Sequence, residues 1–179
     1  WCDHTAQFWE GCEKIEPGCK NCYAESIARR YGRDIWGKYK PRKWTKSGPK
    51  LIRRLNKDAK DNDRIDTVFI NDLADFFEDH DGILIDHKGQ SVERYENQIR
   101  PGGEGHPLAR VEDLRKDAFQ IFDECHNLIF MMLTKRPKNI PGMWPEKPST
   151  GVDRSDLSPA VDRAFSTFLS FRKNVWLGC

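Results

Sequence analysis

The chain has 179 residues, about one domain at roughly 150 residues per domain. It is 37% hydrophobic and 11% aromatic, enough for a packed core, which excludes a wholly disordered polymer. Lys+Arg 30 against Asp+Glu 28 leaves a net charge of +2, so overall charge selects no partner, and no apolar run reaches the ~18 residues of a membrane span or follows a basic start as a secretory leader does. The expected setting is therefore the cytoplasm. Trp1 in place of a Met, and an apolar run directly before Cys179, read as the ends of a cut or processed chain.

Residues 1–22 are loop-like, with Gln7-Phe8-Trp9 as a short strand. From Cys22 the apolar residues Ala24, Ile27, Ala28 and Tyr31 fall at helical spacing, Asn21 is placed to cap the helix and Gly32 to end it. Residues 29–64 hold fourteen Lys/Arg against four Asp/Glu, with Trp36, Tyr39 and Trp44 among them and a helix at about 49–59. Residues 67–71 then read as a buried strand, in a stretch from 65 to 87 that carries seven Asp/Glu and no Lys/Arg. Residues 79–108, rich in Gly, His and polar side chains, read as an insertion loop. Val111, Leu114, Ala118, Ile121, Phe122 and Cys125 share one helical face, and 128–133 is apolar throughout, as a strand covered on both sides is. A loop with five Pro follows at 137–159, then a helix at about 159–171 and a strand at 174–178. Strand–helix alternation predicts a single α/β domain over 1–179, with parallel strands and ligands at their C-terminal edge.

The cysteines carry the sharpest chemistry. Cys2, Cys12, Cys19 and Cys22 crowd into the first 22 residues, whereas Cys125 and Cys179 stand alone. A secreted disulfide scaffold spreads its cysteines along a shorter chain, so metal ligation in a reducing compartment is the better reading. Cys12, Cys19 and Cys22 lie on a loop that enters a helix, where three thiolates hold three irons of a [4Fe–4S] cluster and leave the fourth open. Structural zinc, completed by Cys2 or His4, fits the same spacing, which leaves cluster and zinc both open.

Four ordered blocks carry a resemblance that spans nearly the whole chain. They are Trp1-Cys2-Asp3-His4-Thr5 with Gly11-Cys12 and Pro17 through Glu25; Val68 through Phe77; Leu133-Thr134-Lys135-Arg136-Pro137; and Asn174-Val175-Trp176-Leu177-Gly178. Together they resemble the phage Gp37/Gp68-like family, a three-Cys-motif family of the DUF5131 type that is similar to radical S-adenosylmethionine (SAM) proteins. The resemblance implies a partial (β/α) barrel of parallel strands, here truncated at the C-terminus. It also implies a [4Fe–4S] cluster on Cys12, Cys19 and Cys22, with SAM bound at the open iron and cleaved reductively. The usual radical-SAM loop is Cys-x3-Cys-x2-Cys with an aromatic before the third Cys; here the first gap is six residues and Tyr23 follows the third.

Polar residues after the strands are the expected cofactor contacts: Asn71, Asp72 and Asp75 after one, Thr134 and Lys135 after another, with Arg136 beside them. Their competing reading is helix capping, a solvated face or a polar turn. Gly102-Gly103-Glu104 has the form of a SAM-binding segment but lacks a preceding apolar strand. In the basic segment, Arg42, Lys43 and Lys46 are candidates for phosphate contacts and Trp44 for base stacking. The alternative is a solvated cover with its aromatics packed inward. Two classes of function follow: an iron–sulfur enzyme similar to radical-SAM proteins, acting on nucleic acid or its components, or a zinc- or cluster-stabilised, non-catalytic nucleic-acid-binding module or phage/defence accessory protein with a protein partner.

Overall fold

The apolar run at 128–133 forms the centre of the molecule. In the computed structural model, which describes residues 2–15, 17–96, 98–145 and 174–178, this run is strand β8 (Leu128–Leu133). It pairs in parallel with β4 (Asp66–Ile70) on one side and β9 (Val175–Gly178) on the other. Strand β1 (His4–Ala6) adds to β4, so the sheet order is β1-β4-β8-β9, parallel throughout. The protein is thus mixed α/β with a parallel four-stranded sheet. Among the described residues the sheet is open at β1 and β9 and does not close into a barrel.

Helices α2 (Gly48–Asp61) and α3 (Val111–Glu124) are the crossovers to β4 and β8. Their apolar faces match the helical spacing of the sequence: Ile52 and Ala59 on α2, and Val111, Leu114, Ala118, Ile121 and Phe122 on α3, are all buried. Pro49 stands in the first turn of α2, where a missing N–H costs nothing. Gly48 is fixed by contact, because a Cβ there would lie 1.8 Å from the Gln7 carbonyl oxygen.

Several expectations change. The strand expected at 7–9 is broken: after Ala6 the chain leaves the main sheet, and β2 (Trp9–Glu10) joins a second sheet with β3 (Arg42–Trp44) and β5 (Leu84–Ile85). The Phe8 N–H that a continuing ladder would use donates instead to Asn71 Oδ1, at 2.8 Å. Helix α1 (Tyr23–Arg30) is capped by Cys22, not Asn21, with no capping bond from a side chain. The supposed insertion at 79–108 contains β5 and a hairpin of β6 (Val92–Tyr95) and β7 (Gln98–Pro101). A short helix, α4 (Ile140–Met143), follows β8. The helix expected at 159–171 lies outside the described residues. No described helix is long and apolar enough to cross a membrane.

Core packing is aromatic. Phe76 is fully buried, stacks on Trp9 with centroids 5.5 Å apart, and meets Phe77, Phe119 and Phe122 at 5.3, 5.5 and 6.0 Å. Truncating such a ring removes its transfer free energy and leaves a cavity that rigid neighbours cannot fill. Phe76→Ala is expected to lower stability by about 3–5 kcal/mol in urea unfolding, and Phe76→Leu by clearly less. Equal losses for the two would show that the site collapses around the change.

Candidate functional site

The C-terminal edge of the parallel sheet gathers most of the residues singled out above. Asn71, immediately after β4, adopts a left-handed backbone (φ 56°), which Asn tolerates better than most residues. Its N–H donates to the Ala6 carbonyl at 2.9 Å, and its Nδ2 is buried without a partner. Asp72 accepts a hydrogen bond from Gln7 Nε2, and burial pushes its carboxyl above the ordinary carboxylate range. The Tyr23 hydroxyl donates to the Asp72 carbonyl at 2.7 Å, which brings the N-terminal end of α1 to this edge.

Asp75 joins β4 to β8. Its Oδ1 accepts from Thr134 Oγ1 at 2.7 Å and from the Phe77 N–H at 3.0 Å; its Oδ2 accepts from the Lys135 N–H at 2.9 Å and Arg136 Nη1 at 3.0 Å. Asp75 and Thr134 are buried and committed to each other, and it is the Lys135 backbone that is held while its side chain is exposed. Their placement is that of a structural junction, leaving Asp72 and the Lys135 ammonium as the candidate contacts at the rim, and the buried, unpartnered Nδ2 of Asn71 as a third.

Cys12 reaches the same edge from β2. Gly11 makes its approach possible, with φ 106° and a hypothetical Cβ only 2.4 Å from the Ile35 carbonyl oxygen. Arg136 Nη1 donates to Cys12 Sγ at 3.5 Å, and its Nη2 donates to the Glu13 carbonyl at 2.9 Å. Burial, with the nearby Glu78 carboxylate, pushes the Cys12 thiol up to about 12, against the pull of Arg136. Cys12, Cys19 and Cys22 are all free and partly exposed. Their soft donor type and loop-to-helix spacing fit a thiolate-held metal group, and Cys12 and the Cys22-capped end of α1 reach one sheet edge. As placed, no three His, Cys, Asp or Glu side chains among the described residues stand close enough to hold a metal ion. Cys125 is buried in the core. His4, the alternative zinc ligand, has its Nε2 3.1 Å from Asp66 Oδ2.

The nucleic-acid expectation is corrected at two residues. Arg42 is fully buried: its Nε and Nη2 grip both oxygens of Glu78 at 2.8 Å, and its Nη1 donates to the carbonyls of Ile35, Gly37 and Lys40. Trp44 is buried opposite Trp9 across the β2–β3 pair. Neither side chain is on the surface to meet a phosphate or a base. Lys43 pairs with Glu10 at 2.9 Å, and Lys46 is exposed. Glu13, Glu78 and the pairing role of Arg42 were missed in the sequence, because the partners lie 36 and 65 positions apart with no local pattern to join them.

Gly102-Gly103-Glu104 has its own occupant. The N–H groups of Gly103 and Glu104 donate to the Glu93 carboxylate at 3.0 and 3.2 Å. A cavity of about 680 Å³ lies elsewhere, between the segment after β4 and α3, lined by His80, Arg115, Phe119 and Trp144 among others; none of the expected site residues lines it.

Fold and edge together define an α/β protein with a parallel four-stranded sheet and a cysteine-bearing C-terminal edge. A family model described as "Protein of unknown function (DUF5131)" matches residues 1–91, just over half of the chain. The protein belongs to this family. No curated protein and no solved structure gives a significant match. The matched span holds Cys12, Cys19, Cys22 and the segment after β4, and ends before Thr134, Lys135 and Arg136.

The Glu93 cradle predicts a pH dependence. Backbone N–H donors hold its carboxyl below the ordinary value of 4.5, so its stabilising contribution is present above that value and is lost as pH falls through the folded one. The stability difference between the wild type and Glu93→Gln should be largest near neutral pH and shrink below about pH 4 in urea titrations. A difference independent of pH would show that charge is not what the cradle binds.

Proposed function

We propose that this chain is an iron–sulfur protein in which Cys12, Cys19 and Cys22 hold a [4Fe–4S] cluster at the C-terminal edge of the sheet, with SAM as the ligand of the open iron. The observation that carries this reading is the convergence of Cys12 and the Cys22-capped end of α1 on the strand ends of β4 and β8. Such a cluster, when bound, supplies an electron and an open iron site. A helix N-terminus beside Cys22 favours negative charge, as a thiolate-held cluster carries. Asp72 would meet the ligand's amino group, and Asn71 and Lys135 its carboxylate. Asp75 and Thr134 hold the β8 turn that presents Lys135. Nucleic acid or its components, as the molecule acted on, is suggested by the basic segment 29–64, where Lys46 is exposed.

Zinc on the same thiols is the second reading. His4 would not complete that site, because Asp66 holds its Nε2 at the N-terminal end of β4, the end of the sheet away from Cys12 and Cys22.

Anaerobic reconstitution with iron and sulfide separates the two. The wild type is expected to be brown, and Cys12→Ala, Cys19→Ala and Cys22→Ala to lose colour and iron. Cys125→Ala should keep both, since Cys125 is packed in the hydrophobic core away from the sheet edge. SAM should change the EPR spectrum of the reduced protein. A colourless protein with one zinc per chain overturns the cluster, and a spectrum insensitive to SAM in a fully loaded sample overturns the ligand.

A further inference from the structure

We infer that Arg136 is a positioning residue for the metal-ligating sulfur of Cys12, fixing its direction and biasing the bound group toward its more negative oxidation state. The inference rests on the iron–sulfur reading above. Sequence placed Arg136 on a polar turn, where its expected task was to meet a ligand's carboxylate or phosphate. Its geometry is different. Nη1 is shared between Cys12 Sγ at 3.5 Å and Asp75 Oδ2 at 3.0 Å; Nη2 is shared between the Glu13 carbonyl at 2.9 Å and Glu78 Oε1 at 3.5 Å. Only 9% of the side chain is exposed.

Both anchoring carboxylates are themselves fixed. Asp75 is held by Thr134 and by the backbone of Phe77 and Lys135, and Glu78 is clamped by buried Arg42 and by the Glu13 N–H. The guanidinium is therefore already tied on its other contacts and points a donor at one sulfur. Planar, two-sided donation of this kind is what Arg provides and Lys does not. Hydrogen bonds to cluster sulfurs and nearby positive charge tune an iron–sulfur potential, and the groups behind metal ligands tune affinity. A cation and an N–H donor at the sulfur favour the form with the extra electron, so they raise the reduction potential.

The test compares the wild type with Arg136→Met, Arg136→Lys, Cys12→Ala and Arg115→Met. Arg115 is a control: it is buried and donates to the carbonyls of Phe76 and Glu78 in the same region. Each variant is reconstituted anaerobically, its iron and sulfide are counted, and its midpoint potential is measured by redox titration. In parallel, cadmium affinity of the metal-free chain is measured by chelator competition. Arg136→Met should shift the potential to more negative values and weaken cadmium binding by about 10–100-fold. Arg136→Lys should lie between, and Arg115→Met should lose stability with neither readout changed. An unchanged potential in fully loaded Arg136→Met, or unchanged cadmium affinity, overturns the inference. Should Arg136→Met fail to fold, Arg136→Lys decides by the same two readouts. Failure of the wild type to take up iron while Cys12→Ala abolishes cadmium binding sinks the iron–sulfur reading alone, and the cadmium comparison then decides the role of Arg136. Cadmium binding indifferent to Cys12→Ala overturns both.

Discussion

Arg42 and Glu78 form an ion pair with both side chains out of water, 0% and 2% exposed. Removing such charges from solvent costs several kcal/mol each, and a low-dielectric interior returns this only when every donor and acceptor finds a partner. Here they do. Two guanidinium nitrogens grip both carboxylate oxygens, and the third donates to the carbonyls at 35, 37 and 40. Glu78 then accepts from the Glu13 N–H and lies within reach of Arg136. One pair thus welds β3, the turn before it, the loop after β2, the segment after β4 and the turn after β8. Losing either partner would strand the other charge, a change worth on the order of 3–5 kcal/mol.

The same pair belongs to a wider pattern of charge matching. The basic stretch at 29–64 meets the acidic stretch at 65–87 at two pairs and the N-terminal residues at others. Arg42 meets Glu78, Arg64 meets Asp66, and Glu10 receives both Arg33 and Lys43. Charge that reads in one dimension as a nucleic-acid footprint is, at these residues, internal neutralisation. The three acids after β4 divide the work at a spacing of three. Asp72 takes Gln7 from the segment between β1 and β2, Asp75 takes the turn after β8, and Glu78 takes β3.

What the sequence revealed follows from the range of the forces involved. Strand β8 and helices α2 and α3 were legible because burial imposes a short period or a continuous apolar run. The strand-end residues Asn71, Asp72, Asp75 and Thr134 were legible as a group, since parallel strands place their ends together. Strands β2, β3 and β5 were not: they have two or three residues each, and they pair Trp9 with Trp44 and Arg42 with Leu84 across long sequence gaps. The hairpin of β6 and β7 hid behind a polar composition, held by the β6–β7 ladder and the Glu93 cradle. Arg42 read as a surface cation because nothing within a turn of it announces Glu78.

The three cysteines near the N-terminus are unequal, and the inequality has a physical source. Cys12 is held by its backbone: Gly11 before it occupies a conformation and a space that exclude a Cβ, and the Cys12 carbonyl accepts from the Gly37 N–H at 2.9 Å. Its sulfur is held by Arg136. Cys19 ends a single 3₁₀ turn, Pro17–Cys19, whose flanking Gly18 and Lys20 are exposed, and Cys22 caps a helix of eight residues with no capping bond of its own. One thiol is anchored in the network that closes the sheet edge, and the other two belong to a short exposed segment attached at Tyr23. A group drawn together from such a set would close by movement of that segment toward Cys12. The conformational cost falls on a few loop residues, and the sheet edge, braced by Asp75 and Glu78, keeps its shape.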